Sequence, residues 1–273
     1  MVVAGIDIGS TTTKVVFLSR DRRILAASVG PTGFMPDEAA SREIEACCRQ
    51  SNTTTADVLY WVSTGYGREL VTFANEEITE ISCHARGAHV IFPETRAVID
   101  IGGQDSKAIS IDEAGRVVNF AMNDKCAAGT GKFLDVTARA MGVSPAEMGR
   151  LSLQSKVEVT VSSICTVFAE SEVISLISKR ANPVDILAGI NRAVVRRLQG
   201  LISRAKGCPP FAMTGGVAKN PGVVKALEDL LQSKLLIPED SQIVGALGAA
   251  HIALDKFEKT TRRNLSPGMT NRS

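Results

Sequence analysis

The sequence contains an internal duplication, and this feature restricts the possible folds more than any other. The first copy is Asp7-Ile-Gly-Ser-Thr-Thr-Thr-Lys14, and the second copy is Asp100-Ile-Gly-Gly-Gln-Asp-Ser-Lys107. An apolar segment leads into each aspartate, and two further apolar segments follow each lysine. This spacing predicts a strand, a turn rich in hydroxyl groups or glycine, and two more strands in each half. We therefore expect one α/β unit to occur twice in the chain.

The segments between and after the two copies show helical and strand patterns. Apolar periodicity predicts helices over 36–49, 80–89, 131–141, 144–151, 169–179, 183–206 and 222–232, and strands over 58–62, 157–161 and 234–237. Because no linker rich in proline or serine separates the halves, the duplication places the boundary. It predicts an N-terminal lobe over 1–95, a C-terminal lobe over 96–260 that carries both candidate cysteines, and a flexible tail over 261–273.

Composition excludes several classes of protein. With 273 residues, of which 44% are hydrophobic, the chain can bury a full core. It has no run of 18 apolar residues, and its N-terminal segment resembles a strand rather than a signal peptide, so we expect a cytoplasmic protein that does not bind membranes. The net charge of +2, without a basic stripe, predicts no binding of nucleic acid. Six cysteines without a CxxC motif indicate reduced thiols, some of them candidate ligands.

Two strand-ending aspartates, each followed by a turn that can wrap a phosphate, suit a nucleoside triphosphate with Mg²⁺. We expect Asp7 and Asp100 to face each other across a cleft and to bind Mg²⁺ directly or through water. With Gln104 they form the predicted catalytic set. The Gly-rich turn Thr214-Gly-Gly-Val217 is expected to accept the nucleoside, because glycines allow a flat ring to approach the backbone. The predicted nucleotide-binding residues are Gly9, Ser10, Thr11, Thr12, Thr13, Lys14, Gly102, Gly103, Gln104, Gly129, Gly131, Gly215, Gly216 and Ala218.

Two cysteines lie in settings that favour an anion or a reactive thiolate. Cys126 lies in a turn rich in glycine and alanine before a predicted helix, and Cys165 lies in a hydroxyl-rich segment before another helix. Unpaired backbone N–H groups at a helix start stabilise an anion and lower the pKa of a thiol. Two such cysteines per chain make half of a four-thiolate site.

Five motifs together resemble those of a known ATPase family. They are Asp7-Ile-Gly-Ser10, Asp100-Ile-Gly-Gly-Gln104, Asn123-Asp-Lys-Cys-Ala-Ala-Gly-Thr-Gly131, Ser162-Ser-Ile-Cys-Thr-Val-Phe-Ala-Glu-Ser-Glu172 and Met213-Thr-Gly-Gly216. The chain resembles the actin, heat-shock-chaperone and sugar-kinase ATPase superfamily. Within it, the chain is similar to the ATPase activators of 2-hydroxyacyl-CoA dehydratases and to the ATP-binding subunits of benzoyl-CoA reductase. The resemblance extends to about Lys256.

The resemblance implies a duplicated actin-like, ribonuclease H-like α/β fold with two lobes around a nucleotide cleft. It implies a homodimer that binds ATP or ADP with Mg²⁺ and shares one [4Fe–4S] cluster, ligated by Cys126 and Cys165 of each subunit. It also implies hydrolysis of ATP coupled to a hinge rotation of the halves and to delivery of a low-potential electron, in anaerobic metabolism. The implied partners are an iron–sulfur dehydratase or reductase and an electron donor such as ferredoxin or flavodoxin.

Several alternatives stay open at this level. The chain could be the ATP-binding subunit of a benzoyl-CoA reductase-like or other low-potential reductase, a sugar or metabolite kinase, or a filament-forming or chaperone ATPase. The kinase hypothesis gives the cysteines no role. Glu170 and Glu172 could complement a helix dipole or have a functional role, and the segment 64–67 could line the nucleotide site or only turn the chain. We assign no chemistry to His84 and His89, and we interpret Cys47, Cys48, Cys83 and Cys208 as structural.

Overall fold

The computed structural model describes residues 1–162 and 165–265 of the chain. In this part, the strands are β1 (Val2–Ile8), β2 (Thr12–Ser19), β3 (Ile24–Pro31), β4 (Val58–Thr64), β5 (Glu76–Glu77), β6 (Ala97–Ile101), β7 (Ser106–Ile111), β8 (Val117–Asn123), β9 (Phe211–Thr214) and β10 (Leu235–Leu236). The α-helices are α1 (Pro36–Ser51), α2 (Glu80–Ile91), α3 (Gly131–Ala140), α4 (Pro145–Ser152), α5 (Thr166–Ser178), α6 (Pro183–Ala205), α7 (Pro221–Leu231) and α8 (Val244–Leu265).

The strands form two five-stranded mixed sheets with the same topology. Their orders are β3-β2-β1-β4-β5 and β10-β9-β6-β7-β8, so β1 and β6 occupy equivalent places. Each of these two strands pairs antiparallel with the next strand in the chain and parallel with a strand that follows a helical crossover. The duplication predicted from the sequence is therefore confirmed.

The residue registers of the two sheets also correspond. Asp7 pairs with Lys14 across β1 and β2, and Asp100 pairs with Lys107 across β6 and β7. On the parallel side, Asp7 pairs with Thr64 of β4, and Asp100 pairs with Thr214 of β9. The duplication thus includes Thr64 and Thr214, which the sequence comparison did not align.

The chain divides into two compact units. The first consists of residues 1–87 and the segment from Gly245 onward, and the second of residues 88–244. The predicted C-terminal lobe, 96–260, contains most of α8, whereas α8 packs within the first unit. A Cβ on Gly5 of β1 would overlap the carbonyl of Ala246, and one on Gly248 would overlap the carbonyl of Cys83. The helix therefore lies directly against β1 and α2, because glycine leaves no side chain between the backbones.

Each unit has its own apolar core. In the second unit, α6 contributes Ile186, Ile190, Val194, Leu198 and Leu201, all buried, which confirms the predicted helical stripe. The strand predicted over 157–161 is absent from the described structure. Arg192 and Arg196 of α6 instead donate to the carbonyls of Val159 and Val161, so side chains take the place of a neighbouring strand.

The C-terminal part differs partly from the prediction. Residues 261–265 continue helix α8, whereas the tail was predicted to begin at 261. The rest of the predicted flexible tail, 266–273, lies outside the described residues. Among the helices that are described, we find none with both the length and the apolar character needed to cross a bilayer.

Candidate functional site

The first predicted phosphate hairpin connects β1 to β2. Asp7 is buried near the end of β1, and its Oδ2 accepts a hydrogen bond from Lys14 Nζ at 3.2 Å. The turn between them is closed by the N–H of Gly9, which donates to the carbonyl of Thr12 at 3.0 Å. Ser10 and Thr11 are exposed at the tip. The hairpin therefore presents backbone and hydroxyl groups next to a carboxylate and a lysine, as the sequence predicted.

Thr13 differs from its neighbours in the predicted set. Its side chain is fully buried, and its Oγ1 lies 3.0 Å from Oγ1 of Thr32. Thr32 in turn donates to the carbonyl of Gly9 at 2.7 Å. The Thr13 hydroxyl therefore supports the turn from inside the first unit.

The second hairpin connects β6 to β7 and carries one additional carboxylate. Lys107 is buried, and its Nζ lies 3.2 Å from Asp100 Oδ2 and 2.8 Å from Asp105 Oδ2. The opposite oxygen of Asp100 accepts from Thr214 Oγ1 at 2.8 Å. Gln104 is exposed at the tip of the same turn. Asp105 was missed by the sequence analysis, because the first copy has a threonine at the matching position.

The predicted nucleoside turn follows β9. Gly215 adopts φ +86° and ψ 174°, a region that is essentially restricted to glycine. Its N–H donates to the carbonyl of Ser241 at 2.9 Å, and Ser241 Oγ donates back to the carbonyl of Gly215 at 2.9 Å. Gly216 begins a short 3-10 turn that contains the buried Ala218. Gly215, Gly216 and Ala218 thus lie in one turn. Ser241 stabilises this turn through two hydrogen bonds with Gly215, which the sequence did not indicate.

Cys126 lies in a loop whose backbone is held by neighbouring side chains. Asn123 Nδ2 donates to the carbonyls of Cys126 at 2.8 Å and Ala128 at 3.1 Å. Thr130 Oγ1 donates to the carbonyl of Ala127 at 2.6 Å. The cysteine itself is partly exposed and free. The loop geometry is therefore determined by protein contacts.

The start of α3 differs from the predicted open anion site. The N–H of Gly131 donates to the carbonyl of Gly102 at 2.9 Å, and the N–H of Lys132 donates to that of Gly103 at 2.8 Å. These N–H groups are already satisfied, so they are not available to an anion in this conformation. Gly129, at φ +82°, lies against the side chain of Arg197. Carbonyls of the β6–β7 turn accept these hydrogen bonds, so the start of α3, which follows the Cys126 loop, is bonded to that turn.

Cys165 is the N-cap residue of α5, and its side chain is exposed and free. The second unit contains a cavity of about 280 Å³. Its lining includes Ala128 and Gly129, which follow Cys126 in the chain, and Val161 and Ser162, which precede Cys165. The structure therefore brings both segments to one cavity, and their free thiols have the donor chemistry that an iron–sulfur cluster requires. Within the described residues, no three His, Cys, Asp or Glu side chains form a group suited to a metal ion.

His84 was assigned no chemistry from the sequence, but it lies close to a predicted catalytic residue. A Cβ on Gly245 would lie 2.8 Å from Asp7 Oδ2 and 2.9 Å from His84 Nε2, so both atoms approach the same backbone position. The ring of His84 is buried. No local signal could have identified this arrangement, because Gly245 is far from both residues in sequence.

Solved structures support the fold assignment. The activator of the 2-hydroxyisocaproyl-CoA dehydratase from Clostridium difficile, with bound ADPNP, superimposes with a TM-score of 0.91 at 43% identity, covering 100% of each chain. A ROK family glucokinase from Streptomyces griseus has a TM-score of 0.59 at 14% identity, over 93% of this chain and 100% of that one, and shows the fold alone. The predicted actin-like α/β fold is therefore confirmed.

Sequence comparisons agree with this result. The chain is 44% identical over 262 residues to the 2-hydroxyisocaproyl-CoA dehydratase activator of Clostridioides difficile, covering 96% of this chain and 98% of the relative. It is 44% identical over 256 residues to the (R)-2-hydroxyglutaryl-CoA dehydratase activating ATPase of Acidaminococcus fermentans, covering 93% and 98%. The family model for BadF/BadG/BcrA/BcrD ATPases matches residues 4–253. The resemblance noted in the sequence is thus confirmed, and the chain belongs to the BadF/BadG/BcrA/BcrD ATPase family.

Proposed function

We propose that this protein is an ATP-dependent electron donor that activates a partner 2-hydroxyacyl-CoA dehydratase. In each cycle it would accept one electron from a ferredoxin or flavodoxin and pass one electron to the partner. Hydrolysis of ATP with water to ADP and phosphate would accompany the transfer. The names of the relatives, which are activators of such dehydratases, support this assignment.

One observation carries the proposed coupling of nucleotide to cysteine. The carbonyls of Gly102 and Gly103, in the turn after Asp100, accept from the N–H groups of Gly131 and Lys132 in the first turn of α3. That helix follows the Cys126 loop directly. Backbone hydrogen bonds between two tightly turned segments transmit a shift of one to the other, because both backbones have little freedom to adjust. A phosphate that repositions the 102–103 turn would therefore also move the cysteine loop.

The two Asp–Lys pairs are the proposed sites for phosphate and Mg²⁺. Asp7 and Asp100 are hard oxygen donors at strand ends, which suits Mg²⁺ directly or through water. Lys14 and Lys107 already approach these carboxylates, so each can shift its contact toward a phosphate oxygen. Gln104, which is exposed on its turn, is the residue that we propose would orient the attacking water. The nucleoside would lie on the turn formed by Gly215, Gly216 and Ala218.

Cys126 and Cys165 of two subunits are the proposed ligands of one [4Fe–4S] cluster, which when bound supplies a low-potential electron. Both thiols are free, and their segments line one cavity. Asn123 bonds two backbone carbonyls of the Cys126 loop, which would limit the positions that the ligand can take.

The apolar surface of α5 supports a homodimer. Val167 and Phe168, immediately after Cys165, are both 68% exposed, and Ile174 and Ile177 are also exposed. Val167, Ile174 and Ile177 share one helix face, since they are spaced by seven and three residues. An exposed apolar face of this kind indicates a protein interface. A second copy of the chain would cover it and bring two further cysteines to the cluster.

Electron transfer to a purified dehydratase tests the proposal. Protein reconstituted with iron and sulfide under anaerobic conditions should reduce the dehydratase component only when Mg·ATP is present. Cys126→Ala and Cys165→Ala should abolish the transfer. The matched variant Cys208→Ala should retain it, because Cys208 is also exposed but is far from both cysteine segments in the sequence. ATP-independent transfer, or phosphorylation of a sugar instead, would contradict the proposal. Transfer only to an aryl-CoA reductase would support the alternative partner.

A further inference from the structure

Val161 and Ser162, which precede Cys165 in the chain, are held from two sides by charged side chains. On the α6 side, Arg196 Nη2 donates to the carbonyl of Val161 at 2.5 Å. On the α5 side, Glu172 Oε1 accepts from both the N–H and the Oγ of Ser162, at 2.9 and 2.8 Å. Two consecutive residues are therefore bonded in opposite senses, one through its carbonyl and one through its N–H.

Glu172 does not lie where a carboxylate stabilises a helix start. It lies in the second turn of α5, and the first turn of that helix contains no acidic residue. The interpretation of Glu170 and Glu172 as partners of the helix dipole is therefore not supported, because that effect falls off within the first turn. The Glu172 carboxylate instead bonds the segment that precedes its own helix. Hydrogen bonds to an ionised carboxylate are stronger than those between neutral groups.

The same arrangement connects the segment to the second phosphate hairpin. Near its C-terminal end, α6 accepts from Ser110 Oγ of β7 at the carbonyl of Ala205, at 2.7 Å, and from Asn119 Nδ2 of β8 at the carbonyl of Arg204, at 3.0 Å. The helix that carries Arg196 is therefore bonded to β7, which belongs to the second phosphate hairpin, and to β8, which follows it. Movement of β7 relative to α5 would therefore change the hydrogen bonds that hold Val161 and Ser162.

We propose that Glu172 and Arg196 are positioning residues that hold the Cys165 segment in a ligand-competent arrangement. The inference rests on the proposed function, because it concerns the same cysteine. In this proposal both residues act through Val161 and Ser162 and contact neither iron nor nucleotide. Their role is to limit the conformations from which Cys165 can leave the cluster.

The test uses Glu172→Ala, Glu172→Gln and a matched control, Glu170→Ala. Glutamine keeps an oxygen that can accept both bonds but removes the charge, so it separates geometry from electrostatics. Glu170 is exposed on the same helix, and no hydrogen bond joins it to residues 159–162 within the described structure.

The first readout is amide hydrogen exchange in iron-free protein. Exchange over residues 159–162 should become roughly tenfold faster in Glu172→Ala, since local opening loses its charge-assisted bonds. The increase should be smaller in Glu172→Gln, which keeps an acceptor for both bonds but loses the charge, and exchange should not change in Glu170→Ala. An unchanged exchange rate in Glu172→Ala would overturn the inference, because the carboxylate would then not stabilise residues 159–162.

The second readout is the rate at which a chelator removes iron from reconstituted dimer. Glu172→Ala and Arg196→Ala should lose iron at least about threefold faster than the parent, and Glu172→Gln should restore slow loss. Faster exchange with unchanged iron loss would show a merely structural contact and overturn the positioning role. If the parent protein binds no iron at all, the proposed function fails, whereas the exchange result still stands as a separate measurement.

Discussion

Gly65 and Gly215 are structural counterparts, with φ angles of +88° and +86°. Each directly follows the threonine that pairs in register with a strand-end aspartate. A Cβ on Gly65 would lie 2.5 Å from Asp7 Oδ1, and one on Gly215 would lie 2.8 Å from Asp100 Oδ1. Each aspartate carboxylate therefore lies directly against the backbone of a turn in which only glycine fits. This relationship favours an equivalent role for 64–67 and 214–217 over a simple chain reversal at 64–67.

Substitution of these glycines should be far more damaging than substitution of an unconstrained one. Gly33 also has positive φ, at +65°, but a Cβ there would meet nothing within 4 Å. We expect Gly33→Ala to lower the free energy of unfolding by about 1 kcal/mol. Gly215→Ala should lower it by at least about 2 kcal/mol more, because the Cβ also overlaps the carbonyl of Ile101. Urea denaturation measures both, and equal losses would contradict the close approach.

The strand-end carboxylates should be required for hydrolysis and dispensable for iron binding. We expect Asp7→Asn and Asp100→Asn to reduce Mg·ATP hydrolysis at least about 100-fold while iron content is unchanged. Asp112→Asn, in the β7–β8 turn, is the control and should hydrolyse ATP normally. We expect Asp100→Asn to stay folded, because Lys107 keeps Asp105 as a carboxylate partner. A melting curve for each variant checks that a loss of hydrolysis does not come from unfolding. Parental hydrolysis in either strand-end variant would remove that hairpin from the site.

Acid should destabilise the first unit through His251. Its ring is buried, and Nδ1 lies 3.3 Å from Nη1 of Arg22. Burial, followed by the positive charges of Arg86 and Arg22, lowers the pKa of His251 from 6.5 to about 4. The unfolded chain therefore binds a proton that the folded chain does not between these values, so stability falls as pH falls below 6.5.

This pH effect can be separated from general acid unfolding. Between pH 7.5 and pH 5, protonation of His251 in the unfolded chain should lower the free energy of unfolding by about 2 kcal/mol, because each pH unit below 6.5 contributes about 1.36 kcal/mol. His251→Gln does not titrate and can still accept from Arg22, so its unfolding free energy should vary less over this range. An identical pH dependence in parent and variant would show that His251 does not contribute.

Five of the six thiols should divide into groups by their reactivity. Burial raises the pKa of Cys47 and Cys83 to about 12, so both stay protonated and should resist iodoacetamide at pH 8 in the native protein. Cys165 and Cys208 are exposed and should react. After reconstitution with iron, Cys126 and Cys165 should become protected, whereas Cys208 should still react. Peptide mass mapping gives the pattern, and protection of Cys208 would contradict the ligand assignment.

Much of the fold could be predicted because its signals are local. The Asp-Ile-Gly segments, their lysines and the α6 stripe each depend on neighbours within a few residues, and the structure places all of them as expected. The strand predicted at 157–161 failed for the opposite reason. Its apolar alternation resembles a strand, but arginines of a distant helix satisfy its carbonyls.

The site was less predictable, since its supporting contacts join residues far apart in sequence. Nothing near Glu172 indicates that its carboxylate bonds Ser162, and nothing near Gly245 indicates that Asp7 and His84 meet there. The start of α3 gave a misleading signal. Free N–H groups are the normal expectation at a helix N-terminus, but the carbonyls of Gly102 and Gly103 occupy two of them.

The iron content of the assembled protein tests the central proposal most directly. Native mass spectrometry and iron analysis of anaerobically reconstituted protein should give about four irons per two chains, because each chain supplies two thiolates. Cys126→Ala and Cys165→Ala should each give iron-free protein that still binds ATP, and Cys208→Ala should retain the full iron content. A complete cluster on each monomer, or iron retained in Cys126→Ala, would contradict a cluster shared between two subunits.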